Sequence, residues 1–217
     1  MTTDHNIDII FFPGFSISET LIENWPIQKQ LVILPSKQID QIWNNHKQKL
    51  TKPFIIIALS LGVDMMFKTN AYNHPNCKKV YCFSARPTYP KHEIKLVKNF
   101  IINDYINYLK QFYNNCFISR KPNSWSLYEQ KQLNTLTKTQ LLNELQLVSQ
   151  IQIPELRSLK HSKLQFIHGE KDKIAPLKEI QSIIDTSQLT ILKDCGHIEC
   201  FYTYLELNKL EDLIPDY

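Results

Sequence analysis

A serine, an aspartate and a histidine stand at three separate turns of this 217-residue chain. They are Ser60, Asp172 and His197. A histidine that takes the proton of a serine hydroxyl makes its oxygen a nucleophile, and a carboxylate holds that histidine in the productive tautomer. These residue types could therefore form a triad that hydrolyses acyl compounds.

The chain contains only four glycines, far fewer than the roughly 7% that is usual. Glycine permits positive φ and close backbone approach, so the positions of so few are informative. Each follows a predicted strand: they are Gly14, Gly62, Gly169 and Gly196. Turns that follow parallel strands share the carboxyl edge of a sheet, where ligands bind. We therefore expect the three candidate residues to meet at that edge.

Ser60 lies between the apolar run FIIIAL, at residues 54–59, and a helical stretch that begins at Leu61. The surrounding ALSLG matches the G-x-S-x-G turn that holds a nucleophilic serine above a sheet, with Ala58 replacing the first glycine. Taken alone, the serine could equally cap the helix. The order serine, aspartate, histidine along the chain is that of the α/β-hydrolase fold, and it favours a catalytic serine.

Two aspartates compete for the role of the acid. Asp172 lies in a G-x-x-D-x-x-x-P loop directly after a predicted strand, which is where this fold presents its acid. Asp194 is three residues from His197 on the same turn. We expect Asp172 to be the acid, with Asp194 as the alternative.

The turn at residues 13–15, Pro-Gly-Phe, ends the first predicted strand. Hydrolases of this fold place an oxyanion donor there, and a second one follows the nucleophile. The backbone N–H groups of Phe15 and Leu61 would then stabilise the tetrahedral intermediate. A simple Pro-Gly turn is the alternative interpretation.

Strands that alternate with helices predict an α/β fold, with a mostly parallel sheet and helices on both faces. The predicted strands are Asp8–Phe12, Gln30–Leu34, Phe54–Leu59, Lys79–Phe83, Lys163–His168 and Leu189–Leu192. The predicted helices of this part are Leu61–Tyr72, Leu177–Ile184 and Tyr202–Leu213. His168 is expected to have a structural role at the end of its strand.

The middle of the chain, at residues 84–145, is helical in pattern, rich in Lys, Asn and Gln, and free of strand patterns. An all-helical insertion between two α/β segments is typical of a cap over an active site. We therefore expect one domain, with a core at 1–83 and 146–217 and a helical cap at 84–145. The cap carries nine basic and four acidic residues, a net charge of +5, whereas the whole chain carries +4.

The composition argues against a membrane-spanning protein and against a metal or nucleotide cofactor. Hydrophobic residues make up 43% of the chain, enough for a packed core, but the apolar runs are too short to cross a bilayer. Five cysteines without a CxxC pair, and no secretion signal at the start, indicate a reduced cytoplasmic protein, with one extracellular disulfide as the alternative. No HExxH pattern and no phosphate-binding glycine loop occur, so we expect neither a metal nor a cofactor.

Residues 80–86, VYCFSAR, lead from a strand into the helical segment. This stretch resembles the corresponding one of the pimeloyl-[acyl-carrier protein] methyl ester esterases of biotin synthesis. The turns around Ser60, Asp172, His197 and Phe15, and residues 145–159, are similar as well. The chain departs from the family in three ways: its first turn has Pro-Gly-Phe for the usual His-Gly-Trp, Ala58 replaces a glycine, and its length is shorter.

The resemblance implies a serine carboxylesterase that cleaves the methyl ester of pimeloyl-acyl carrier protein. The expected partner is then an acidic acyl carrier protein that docks on the basic cap, with no nucleic acid, no membrane and a monomeric chain. The expected carrier contacts are Arg86, Lys91, Lys95, Lys98, Lys110, Arg120 and Lys121. Alternatives are a solvated basic face without a carrier, an acyl thioesterase or general short-chain esterase, and a non-catalytic hydrolase-like binding protein.

Overall fold

The computed structural model describes residues 8–22, 30–153 and 163–208. Six strands form one sheet in the order β2-β1-β3-β4-β5-β6, and every neighbouring pair is parallel. The strands are β1 (Asp8–Phe12), β2 (Gln30–Val32), β3 (Phe54–Leu59), β4 (Cys77–Phe83), β5 (Leu164–Gly169) and β6 (Leu189–Leu192). All six predicted strands are therefore present, with shifts of one or two residues at the ends of β2, β4 and β5.

Seven α-helices connect and cover these strands within the described ranges. They are α1 (Ile39–Lys47), α2 (Leu61–Lys68), α3 (Lys91–Asn115), α4 (Trp125–Thr135), α5 (Lys138–Val148), α6 (Leu177–Gln181) and α7 (Glu199–Leu207). Helix α3 is kinked at Asp104, where φ is −155° and ψ is 83°. No helix among the described residues is long and apolar enough to span a membrane.

Three helices differ from their predicted bounds. Helix α2 ends at Lys68, because Asn70 takes a left-handed conformation (φ 55°) and a 3-10 turn follows. Helix α6 ends at Gln181 rather than Ile184. Helix α7 begins earlier than predicted, at Glu199, and residues 209–213 of the predicted helix lie outside the described residues.

The core is centred on β3, whose six residues are all fully buried between β1 and β4. A continuous apolar run suits such a central strand, because helices cover both faces of a parallel sheet. Each large side chain that is buried there contributes about 1.5–3 kcal/mol to folding. Helix α2 packs on β1 and β3, and α7 packs on β5 and β6. The five cysteines are buried and free.

Helices α3, α4 and α5 follow one another between β4 and β5, and α3 packs against both of the others. The segment is thus helical as expected, although α5 continues to Val148, beyond the predicted end of the cap at residue 145. The division of the chain into a core and a cap stays a prediction.

Candidate active site

Ser60 occupies a strained turn between β3 and α2. Its backbone has φ 52° and ψ −117°, a region that non-glycine residues rarely adopt and that costs about 1–3 kcal/mol. The Ser60 N–H donates to the Phe83 carbonyl (2.8 Å), which anchors the turn on β4. A Cβ atom at Gly62 would collide with the Phe12 carbonyl oxygen. A strand-to-helix turn that approaches β1 so closely is possible only with glycine at this position.

His197 and Asp172 are in direct contact. The His197 Nδ1 atom lies 2.7 Å from Asp172 Oδ2, and both side chains are almost completely buried. The other oxygen, Oδ1, accepts the N–H groups of Ile174 and Ala175, each at 2.8 Å. Burial acts to raise the pKa of Asp172, but His197, His168 and the Ala175 N–H together outweigh it and hold the pKa below its usual value. The carboxylate is therefore charged and fixed against the imidazole.

His168 supports the same loop from β5. Its Nε2 atom donates to the Ala175 carbonyl (2.6 Å) and lies 3.6 Å from Asp172 Oδ2. Burial lowers the pKa of His168, more than the nearby Asp172 raises it. His168 is therefore neutral and stabilises the Asp172 loop through its hydrogen bond to Ala175, which agrees with the structural role expected for it.

The rival acid, Asp194, points to solvent. Its side chain is 63% exposed and pairs with Lys171, whose Nζ lies 2.5 Å from Asp194 Oδ1. The lysine holds the pKa of Asp194 below its usual value. Of the two candidate acids, the fold brings only Asp172 to the His197 ring.

The two expected oxyanion donors lie on the turns that flank Ser60. Leu61 is the first residue of α2, so its N–H has no acceptor within the helix. Phe15 lies in a turn closed by the Ile17 N–H and the Gly14 carbonyl (3.2 Å), and its own N–H has no partner among the described residues. A Cβ atom at Gly14 would stand 3.2 Å from Ser60 Cβ, which shows how closely this turn approaches the serine.

Ser60 opens onto a cavity of about 290 Å³. Its apolar wall comes mainly from the inserted helices: Ile94, Val97, Phe100, Tyr108, Phe112, Leu145 and Val148. Phe15 contributes its ring, edge-on to Phe112 with centroids 5.5 Å apart. Among the described residues, Ser60 and His197 share no hydrogen bond; in hydrolases this contact often tightens only when substrate binds. The cavity is suited to an acyl chain, with the serine hydroxyl at its wall.

Arg86 corrects one sequence expectation. It was expected among the carrier contacts, but it is 6% exposed, and Glu93, Glu179 and the Ile174 carbonyl accept all of its N–H groups. These acceptors raise its pKa, against the effect of burial. The guanidinium also lies over the Tyr89 ring, 4.5 Å from the centroid. Arg86 is therefore a buried, fully hydrogen-bonded residue of the cavity lining and is not free to bind a partner.

The other six expected carrier contacts remain on the surface. Lys91, Lys95, Lys98, Lys110, Arg120 and Lys121 are all exposed. Lys121 is the least available of them, because it donates to Asn114 and pairs with Glu129.

Tyr89 and Glu199 were not predicted from the sequence. Tyr89 lines the cavity beside Ser60; burial raises the pKa of its phenol, while Arg86 and the Ser60 hydroxyl act to lower it. Glu199 is 3% exposed and accepts the Gly196 N–H (2.9 Å) beside His197. The same carboxylate accepts N–H groups of residues 118–120, so it connects the His197 turn to the segment that follows α3. The only available signal for Glu199 was its place two residues after His197.

No protein-family model matches the sequence, and no curated protein matches it.

Solved structures match the fold over nearly the whole chain. An esterase from Exiguobacterium antarcticum superposes with a TM-score of 0.75 at 15% identity, covering 96% of this chain and 91% of its own. A bromoperoxidase from Bacillus anthracis gives 0.71 at 17% identity, with the same coverage. A 2-hydroxy-6-oxo-6-phenylhexa-2,4-dienoate hydrolase from Rhodococcus gives 0.67 at 13% identity, covering 95% and 90%. The sheet order, the strained serine turn and these similarities together show that the chain has the α/β-hydrolase fold.

Proposed function

We propose that this chain is a serine hydrolase that cleaves carboxylic esters. Ser60 is the nucleophile, His197 the base and Asp172 the residue that orients the base. One observation carries the proposal: the buried 2.7 Å contact between His197 Nδ1 and Asp172 lies at the same sheet edge as a serine in a strained strand-to-helix turn.

The geometry supports a two-step mechanism. His197 Nε2 takes the proton of Ser60 as its oxygen attacks the ester carbonyl carbon, and the resulting oxyanion is held by the N–H groups of Phe15 and Leu61. The imidazolium then gives its proton to the leaving alkoxide, which departs as the alcohol. Water, deprotonated by His197, attacks the acyl-enzyme, and Ser60 recovers the proton as the acid leaves.

For the substrate we propose the methyl ester of pimeloyl-acyl carrier protein, with methanol as the leaving alcohol. The support is the VYCFSAR resemblance together with the surface of α3. Lys91, Lys95 and Lys98 are exposed there, next to the exposed apolar side chains of Leu96 (55%) and Phe100 (58%). Phe100 also lines the Ser60 cavity, so this surface adjoins its mouth. An acidic carrier would be steered to such a surface and present its acyl chain to the cavity.

The test compares methyl-ester and thioester cleavage on the same pimeloyl carrier, with Ser60→Ala as the control. Methanol release that requires Ser60, and rescue of a biotin-auxotrophic host without its own esterase, would support the proposal. Preferential thioester cleavage would instead identify a thioesterase, and cleavage of free short esters alone a general esterase. A folded protein without any Ser60-dependent turnover would favour a non-catalytic binding protein.

The carrier surface is tested by charge reversal. The triple variant K91E/K95E/K98E should raise the KM for the carrier-bound ester and leave turnover of a free methyl ester unchanged. The matched control is K37E/K47E/K49E, which reverses three exposed lysines just before, at the end of and just after α1, away from the cavity lining. Equal effects of the two variants would contradict a carrier surface on α3.

A further inference from the structure

The inserted helices hold the turn that follows β1. Glu144 of α5 accepts the Ser16 N–H through Oε2 (2.7 Å), and the Tyr113 hydroxyl of α3 donates to the Ser16 carbonyl (2.9 Å). Helix α4 holds the next residues: the Tyr128 hydroxyl accepts the Ser18 N–H (3.2 Å), and Gln132 donates to the Ser18 hydroxyl (2.7 Å). All three inserted helices therefore form hydrogen bonds to the loop that carries Phe15.

Ser16 has a conformation that its own side chain does not explain. Its φ is 56°, in the left-handed region, at the third position of the turn closed by Ile17 and Gly14. Turns with positive φ at this position favour glycine. The Ser16 hydroxyl is buried and has no hydrogen-bond partner among the described residues. The conformation is therefore imposed by groups outside the turn, and Glu144 and Tyr113 bind its two backbone polar atoms.

The closed turn determines where the Phe15 N–H points. The Gly14 carbonyl and the Phe15 N–H belong to one planar peptide unit and face in opposite directions. The Ile17 N–H binds that carbonyl while the turn is closed, and Glu144 and Tyr113 hold the turn at Ser16, the residue directly before Ile17. Holding Ser16 thus keeps the turn closed, and the closed turn fixes the Gly14–Phe15 peptide that carries the proposed oxyanion donor.

We propose that Glu144 is a positioning residue for the oxyanion site, acting through Ser16 on the Phe15 N–H. The inference rests on the proposed function and deepens it. The inserted helices are then part of the catalytic apparatus as well as a wall for the acyl chain, because a carboxylate on α5 sets the geometry of a donor in the turn that follows β1. A charged acceptor suits this task, since hydrogen bonds to ionised groups are shorter and stronger than neutral ones.

The test measures ester hydrolysis at about pH 8.5, where the Glu144 carboxylate, with its pKa raised by burial to about 7, is ionised. Active sites are counted by fluorophosphonate titration of Ser60. E144A should lower kcat about 10- to 100-fold with KM little changed, because a misdirected donor affects the transition state more than substrate binding. E144Q should keep most of the activity, since its amide oxygen can still accept the Ser16 N–H. Q146A, at an exposed position of α5, is the control and should match the wild type.

Two further readouts separate positioning from mere stability. Ser60 adds to the carbonyl of a trifluoromethyl ketone and forms an oxyanion. Compared with the wild type, E144A should lose more affinity for this ketone than for the matched methyl ketone. The double variant S16G/E144A should regain activity, because glycine takes the left-handed conformation without outside support. If E144A does not fold, Y113F removes only the hydrogen bond to the Ser16 carbonyl and should show a smaller kcat loss that S16G reverses.

The outcomes are distinguishable. Wild-type kcat in a titrated E144A, an E144Q as impaired as E144A, or no recovery with S16G would overturn the role of Glu144. Absence of Ser60 labelling in the wild type would instead refute the proposed function itself.

Discussion

Replacing Asp172 with asparagine changes the one oxygen atom, Oδ2, that contacts His197, and so tests whether this contact orients the base. The Oδ1 atom accepts two backbone N–H groups at 2.8 Å, from Ile174 and Ala175. An asparagine keeps both hydrogen bonds only if its carbonyl oxygen takes this place. The reversed amide would set an NH₂ group against two buried donors and lose both bonds, at about 1 kcal/mol each plus the desolvation penalty. The amide NH₂ must therefore face His197.

An NH₂ donor at that place forces His197 Nδ1 to act as the acceptor. The ring proton then moves to Nε2, the nitrogen proposed as the base, which can no longer take the proton of Ser60. A wrong tautomer of this kind costs about 10⁴-fold in kcat, which corresponds to about 5 kcal/mol of transition-state stabilisation. The fold should be retained, because the two backbone hydrogen bonds persist.

The assay is steady-state hydrolysis of a chromogenic short-chain ester, with folding followed by circular dichroism. D194N is the matched control, because the Asp194 side chain pairs with Lys171 at the surface, and solvent screens such exposed pairs. We expect D194N to stay within about twofold of the wild type. A folded D172N with more than a tenth of wild-type activity, or a large loss in D194N, would show that Asp172 does not set the tautomer of His197.

Three further predictions follow from packing and charge. G62A should fail to fold or lose labelling of Ser60, because the added Cβ would collide with the β1 backbone; a folded, fully active G62A in a labelling gel would contradict this. R86L should lower the denaturant midpoint, since it leaves two glutamates without their buried partner, whereas K110L, at an exposed position, should not. Burial raises the pKa of Glu144 from 4.5 to about 7, so between these pH values the folded state binds more protons than the unfolded state. The contribution of Glu144 to stability therefore falls as pH rises through this range, by at most about 1.4 kcal/mol per pH unit. The difference in unfolding free energy between E144Q and wild type, measured by urea titration from about pH 4.5 to 7.5, should therefore increase with pH, and a constant difference would contradict the assigned burial.

The sheet and the three candidate catalytic residues follow from local sequence signals. The apolar run of β3 and its strand-to-helix turn place Ser60, and the loop pattern after β5 distinguishes Asp172 from Asp194. Scarcity of glycine strengthens these signals, since the added Cβ atoms at Gly62 and Gly169 would collide with the backbone of a neighbouring turn. Each of these patterns spans only a few consecutive residues, so it can be recognised in the sequence without knowledge of the fold.

Contacts between distant segments could not be predicted. Arg86 lies in a basic stretch and suggests a surface contact, but its partners stand 7 and 93 residues away. Glu144 meets Ser16 across 128 residues, and the packing of the inserted helices alone brings them together. A lone carboxylate in a polar helix gives no sign of such a bond, because its exposure depends on which helix face is covered.

Fluorophosphonate labelling followed by peptide mass spectrometry shows whether Ser60 is an activated nucleophile. We expect one adduct per chain on the peptide that contains Ser60, none in Ser60→Ala, and strongly slowed labelling in a folded His197→Ala. An unlabelled folded wild type, or an adduct on another residue that persists in Ser60→Ala, would contradict this role of Ser60.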